Sequence, residues 1–209
     1  MVSTPDGGAA APVWWSARSW PARSWLADAG RIDQAVYEAV ARTPTPGLDR
    51  AMSRLSRVAD KSVLWVGTAG VMATVGGRPG ARAAAQGLAC VAVSSAVVNL
   101  AVKRLGRRKR PDREGASVPV GRHVVMPTSR SFPSGHSASA FAFATGVGSR
   151  LPAVGAPLHG LAGVVAYSRV HTGVHFPGDV VAGSMLGTVI AQLTTWATDR
   201  YLGSRRRAS

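Results

Sequence analysis

Residues 83–102 read AAAQGLACVAVSSAVVNLAV, twenty consecutive positions without a charged side chain between Arg82 and Lys103. A helix needs roughly 17–25 apolar residues to cross a bilayer core of about 30 Å. Four more stretches of this kind follow from the charge map: residues 62–77, 131–149, 151–168 and 180–198, with 16, 19, 18 and 19 residues. The competing reading is a soluble bundle of Ala-rich helices. Five near-span lengths in a chain of 209 residues carrying 25 Lys and Arg argue against it. The stretches are rich in Ala, Gly, Ser and Val, and small residues let membrane helices approach closely. Gly183 and Gly187 have the spacing for such a contact. The expected fold class is all-α: an integral membrane helical bundle over residues 61–203, with about five transmembrane helices.

Composition agrees once the charges are mapped. Apolar residues make up 46% and charged residues 17%, against a usual charged share of about 25%. A disordered chain shows the opposite balance. The mean hydropathy of +0.09 averages apolar segments with basic loops. A formal net charge of +15 points to a phosphate-bearing or anionic partner. The single cysteine, Cys90, rules out an intrachain disulfide and a cysteine zinc site. It lies inside an apolar stretch, where packing is its expected role.

The first 60 residues differ in character. Residues 1–25 read as a flexible, interfacial tail without the apolar core of a signal peptide. Trp14, Trp15, Trp20 and Trp25 alternate there with Arg18 and Arg23, an interfacial pattern. Residues 26–60 predict two short amphipathic helices, lying on the membrane or across the bundle. Ile32, Val36 and Val40 form the apolar stripe of the first; Leu48, Met52 and Leu55 form that of the second. Residues 104–130 read as a basic loop and 204–209 as a basic tail.

Three polar clusters stand at the ends of the apolar stretches: Lys103 to Pro111 (KRLGRRKRP), Pro133-Ser134-Gly135-His136, and Ser168 to Asp179 (SRVHTGVHFPGD). Five crossings put all three on one side, although the clusters played no part in choosing the crossings. Such agreement between levels is a strong warrant.

Together the clusters read as phosphoryl transfer. Lys103, Arg110 and Arg169 supply fixed positive charge, Arg bidentately and Lys as a point charge. Ser134 is placed as an N-cap, and the amides of Gly135 and His136 open a helix N-terminus, an anion site. His175 with Asp179 gives a nucleophile whose imidazole is oriented by a carboxylate. His136 remains to protonate the leaving oxygen. Arg104, Arg107, Arg108 and Lys109 read as a solvated face. The pair His171 and His175 has a metal-ligand spacing, but Gly173 and Pro177 interrupt a helix there and no third ligand is evident, so no metal is expected. His123 and His159 read as structural.

The pattern K-x6-R-P, P-S-G-H, S-R-x5-H-x3-D resembles that of the type 2 phosphatidic acid phosphatase (PAP2) superfamily. Lys103, Arg110-Pro111, Pro133 to His136, Ser168-Arg169, His175 and Asp179 complete it. The stretch TPTPGLDRAMSRLSRVAD at 43–60 is also similar to the PAP2 part of actinobacterial chains that carry a lipid-kinase domain. The resemblance implies a helical bundle hydrolysing a phosphomonoester or diphosphate without metal or other cofactor. It implies a phosphohistidine intermediate on His175, with His136 as acid. Lys103, Arg110, Ser134, Gly135 and Arg169 would hold the phosphate.

The expected partners are a lipid-phosphate substrate and the bilayer, with no nucleic acid. Phosphatidic acid, phosphatidylglycerol phosphate, polyprenyl (di)phosphate and polyprenyl phosphosugar phosphate all fit. A vanadium-dependent haloperoxidase would use the same residues, but those relatives are soluble and larger. A non-enzymatic basic membrane protein would leave His136, His175 and Asp179 unexplained. Five crossings put 18 basic residues on the side of the clusters and 7 on the other. Basic loops stay cytoplasmic, so the expectation is a multi-pass cell-membrane protein with a cytoplasmic site.

Overall fold

The computed structural model describes residues 22–102 and 108–208, so Trp14, Trp15, Trp20, Arg18 and Lys103 lie outside the described residues. The described residues form helices and loops without a strand. Among the described residues, seven α-helices follow one another: α1 (Ala22–Arg42), α2 (Pro46–Val58), α3 (Val63–Val75), α4 (Gly77–Val97), α5 (Gly135–Gly148), α6 (Pro152–His171) and α7 (Pro177–Ala208). A short 3-10 turn, Asp60–Ser62, joins α2 to α3, and a π-helical turn, Val98–Val102, extends α4.

Helices α3 to α7 coincide with the five uncharged stretches, but not residue for residue. Two helical stretches, Gly77–Leu100 and Pro177–Ser204, are long and apolar enough to cross a membrane. Helix α3 has 13 residues and α5 has 14, about 20 Å each at 1.5 Å per residue. A charge-free stretch counts caps and loops as well as helix. Residues 131–134 precede α5 because Ser134 is its N-cap, extended in backbone and accepting from the Ser137 amide.

Helix α5 is the centre of the bundle, packed by α4, α6 and α7. Its Ala138, Ala140, Ala142, Phe143, Ala144 and Val147 are fully buried. Trp65 of α3 stacks on Phe143 with ring centroids 5.3 Å apart, and Ala83, Ala84, Val91, Leu158, Ala162 and Val165 complete the main core. The Gly183/Gly187 spacing is used: a Cβ at Gly183 would overlap the Ser134 carbonyl, and one at Gly187 the Ala138 carbonyl. The start of α7 thus lies directly on the start of α5, which brings Asp179 beside Ser134.

The N-terminal helices pack across the polar end of this bundle. Helix α1 is 21 residues long rather than short and begins within the expected tail. Its buried face is Tyr37 and Ala41; Ile32 and Val36 of the expected stripe are exposed. The helix is turned by Tyr37, whose ring meets Phe176 edge-on at 5.3 Å. Helix α2 opens with Pro46, pre-set for a first turn, and buries Met52, Ser53 and Ser56, while Leu48 is exposed. The expected basic tail continues α7 as helix.

Candidate active site

The start of α5, the end of α6, the start of α7 and the segment 108–134 meet at one end of the bundle. The backbone fixes the meeting point. The Ser134 amide donates to the Asp179 carbonyl at 2.9 Å, and the Val174 and His175 amides donate to the Arg169 carbonyl at 3.1 and 3.2 Å. Gly173, at φ +70, makes the turn out of α6 that a residue with a Cβ adopts only with strain.

His175 is 1% exposed. Its Nδ1 lies 3.4 Å from Asp179 Oδ2 and 3.4 Å from Ser131 Oγ, and the Ser131 hydroxyl also donates to Asp179 Oδ2. The Phe176 amide donates to the same carboxylate oxygen at 3.0 Å. The other imidazole nitrogen, Nε2, lies 3.2 Å from Arg110 Nη1. Burial lowers the His175 pKa to about 4, with the Asp179 hydrogen bond and charge opposing and Arg110 and Arg169 adding to the fall. The ring is therefore neutral near pH 7, with Nδ1 held and Nε2 directed at the arginine, the state a nucleophilic imidazole requires.

Arg110 is held in place by three carbonyls. Its Nε donates to Ser129 O at 2.9 Å, Nη1 to Val174 O at 2.8 Å and Nη2 to Arg130 O at 3.4 Å. Its pKa is lowered by burial, with Asp179 opposing and Arg113 contributing repulsion. Arg169 is 2% exposed. Its Nη1 donates to Ser56 O at 3.1 Å and to Ser56 Oγ, while its buried Nε has no hydrogen-bond partner among the described residues. Converging arginines with an unspent buried donor make a site for a multiply charged oxyanion.

His136, in the first turn of α5, donates from Nε2 to Asp60 Oδ1 at 3.0 Å. Burial alone would raise the Asp60 carboxyl; His136, by hydrogen bond and charge, holds it below its usual range. Both residues wall a cavity of about 220 Å³.

The structure thus brings together Arg110, Ser134, Gly135, His136, Arg169, His175 and Asp179. Lys103 lies outside the described residues. Several contributors were not legible in the sequence. Arg108 is a correction to the solvated-face reading: its Nη1 lies 3.1 Å from Asp179 Oδ1, its Nη2 pairs with Asp33 of α1, and its guanidinium covers the Phe176 ring at 4.0 Å. Asp33 also accepts from the Gly178 amide at 2.6 Å, fixing the start of α7. Asp33, Ser56, Asp60 and Ser131 carry no motif, and each reaches the site only through tertiary packing.

The remaining histidines have structural partners. His171 Nε2 lies 2.9 Å from Asp49 Oδ1, which also accepts from the buried Arg122 Nε at 2.8 Å. Arg122 donates further to the carbonyls of Val40 and Thr43, locking the α1–α2 turn onto α6. His159 joins Gly155 O and Thr145 Oγ1, and His123 meets Val118 O. Cys90 is fully buried, its Sγ 3.7 Å from Ala191 O.

Residues 83–202 match the PAP2 superfamily. The chain belongs to that superfamily. Over 108 residues, 51% of the chain, it is 39% identical to the decaprenylphosphoryl-5-phosphoribose phosphatase of Mycobacterium tuberculosis (strain CDC 1551 / Oshkosh), covering 55% of that protein. Over 166 residues, 76% of the chain, it is 36% identical to the Mycolicibacterium smegmatis protein of the same name, covering 84% of it. The chain therefore spans about half the length of the first relative and most of the second. Its fold is similar to the crystal structure of the first transmembrane PAP2 type phosphatidylglycerolphosphate phosphatase from Bacillus subtilis, with a TM-score of 0.62 and 24% identity over 83% of this chain and 87% of that one. The described residues share the all-helical fold of that transmembrane phosphatase, and the site residues from Arg110 to Asp179 fall within the region that matches the PAP2 superfamily.

Proposed function

We propose that this PAP2 chain is a metal-independent phosphatase acting on the phosphate of a membrane lipid. The observation that carries the reading is the state of His175: buried, tied at Nδ1 to Asp179 and Ser131, and directed at Nε2 to Arg110. With the substrate's phosphate dianion bound, His136 carries a second proton as an imidazolium held at Nε2 by Asp60. His175 Nε2 attacks phosphorus, the bond to the leaving oxygen breaks, and the Nδ1 proton of that imidazolium passes to the oxygen. Water then attacks the phosphohistidine, giving its proton to His136 and releasing phosphate. Arg110, Arg169, Lys103, Ser134 and the amides opening α5, Gly135 among them, hold the phosphoryl oxygens. Positioned charge of this kind supplies most of the catalysis in phosphoryl transfer.

The relatives with the name decaprenylphosphoryl-5-phosphoribose phosphatase support a polyprenyl phosphosugar phosphate as substrate over phosphatidic acid or phosphatidylglycerol phosphate. Phosphate release from a panel of these lipids by the detergent-purified protein tests both levels of the reading. Release from none of them refutes the phosphatase. Faster release from phosphatidic acid than from the sugar lipid refutes the choice of substrate.

Five crossings by α3 to α7 would leave the site on the cytoplasmic side, which the excess of basic residues on that side supports. A cysteine at Ser117 in a Cys90→Ala background should resist a membrane-impermeant maleimide on intact cells. Labelling without permeabilisation puts the site outside.

A further inference from the structure

We infer that the cavity beside His136 is a leaving-group subsite that reads hydroxyls, with Asn99, Ser95 and Ser139 as its specificity residues. The inference rests on the phosphatase reading and deepens it. An in-line displacement puts the nucleophile and the leaving oxygen on opposite sides of phosphorus. With His175 as nucleophile and His136 as acid, the part of the ester next to the leaving oxygen must enter the space that His136 walls. That space is the cavity of about 220 Å³ lined by Asp60, Lys61, Ser62, Ser95, Asn99 and Ser139 around a few small apolar groups. Its volume is roughly seven times the ~30 Å³ share of one water, enough for the small ring that adjoins the ester oxygen.

The lining mixes apolar surface with hydroxyl, amide and charged groups, and those polar groups are placed to meet a hydroxylated ring. Ser95 and Asn99 are four residues apart and so share one face of α4 and its extension. Asn99 sits in the π-helical turn Val98–Val102, a distortion frequent at functional sites. Ser95 Oγ and Ser139 Oγ lie 3.2 Å apart, joining α4 to α5 across the cavity wall. On the opposite rim, Lys61 and Ser62 both have positive φ, 49° and 61°. Two consecutive non-glycine residues in the left-handed region cost energy and persist where the surroundings over-determine them. They turn the chain so that Lys61, Ser62 and Asp60 all border the cavity. A phosphorylated sugar fits these groups: hydroxyls for Asn99 and the serines, and Lys61 for a second negative charge further along the leaving group.

The test measures binding to the detergent-purified full chain with two probes, inorganic phosphate and ribose 5-phosphate, by isothermal titration. The expected result is tighter binding of ribose 5-phosphate by about tenfold, from one to two net hydrogen bonds. That ratio should fall towards one in Asn99→Leu and, to a smaller extent, in Ser95→Ala. Ser95→Ala is a milder change that keeps the test decisive if Asn99→Leu does not fold. A wild type that binds phosphate but gains nothing from the sugar overturns the subsite and leaves the phosphatase standing. A ratio unchanged in a folded variant also overturns it. A wild type that binds neither probe overturns both.

Discussion

Arg108 Nη1 and Asp179 Oδ1 lie 3.1 Å apart, so the carboxylate that orients His175 is itself held by an arginine outside the family pattern. The same guanidinium pairs with Asp33, whose other oxygen caps the start of α7 through the Gly178 amide. Helix α1 therefore reaches the nucleophile through two ion pairs. Arg108→Ala should lower kcat at least tenfold with little change in KM, whereas Lys109→Ala should change neither. Asp179 is fully buried and Arg108 one-third exposed, so the stability loss should be about 1–3 kcal/mol, below the cost of breaking a fully buried pair. Steady-state kinetics and thermal unfolding in detergent check this. A kcat equal to wild type removes Arg108 from any positioning role.

His175→Ala should abolish phosphate release and leave no acid-labile phosphoenzyme, while the protein stays monodisperse in detergent. His136→Ala should slow the first step by about 10²–10⁴-fold with a poor leaving group and far less with a good one. Rapid-quench trapping with the two substrate types separates these outcomes. Wild-type turnover in His175→Ala would move the nucleophile elsewhere.

Arg169→Lys should not be conservative. Nη1 anchors the side chain to Ser56 while the buried Nε remains for the ligand. A lysine keeps one charge and loses the divided fork. The expected loss in kcat/KM is more than tenfold, larger than for Lys109→Ala, and equal losses would show that the fork is not used.

Gly187→Ala places a methyl on the Ala138 carbonyl, and Gly183→Ala places one on the Ser134 carbonyl. Forced separation of packed helices costs typically about 1–3 kcal/mol. Both variants should melt earlier. Gly183→Ala should also lose activity, because it moves the N-cap that hydrogen-bonds to Asp179. Full activity in Gly183→Ala would uncouple that helix contact from the site.

The buried His175 makes stability depend on pH. Its folded pKa of about 4 lies below the ordinary value of about 6.5. Between these values the unfolded chain binds the extra proton, so the contribution is complete above about pH 6.5 and is lost as pH falls towards 4. Melting temperature across that window should fall more steeply in wild type than in His175→Asn. Parallel curves would mean that the folded protein accommodates the charged ring.

What the sequence determined by itself is the part written in local order. Uncharged runs mark α3 to α7, because a bilayer or dry core excludes charge all along a helix. The spacing Gly183/Gly187 marks a close helix contact, because only a missing Cβ permits it. The three motifs carry their chemistry in the residues themselves: an imidazole four residues before a carboxylate, a serine cap before an amide-rich helix start, and arginines at the segment ends. Tertiary structure alone decided what meets these groups. The face on which α1 packs is set by Tyr37 against Phe176, with Val40 beside it, and not by Ile32 and Val36 of the apolar stripe, which are exposed. Arg108 looks like one more basic residue until Asp33, 75 positions away in sequence, comes beside it. Asp60 and Ser56 reach His136 and Arg169 only because the α2–α3 turn folds over the end of the bundle. Helix periodicity records which residues share a face; it carries no information about which distant face lies opposite, and that pairing fixed the support of the nucleophile and the cavity beside the acid.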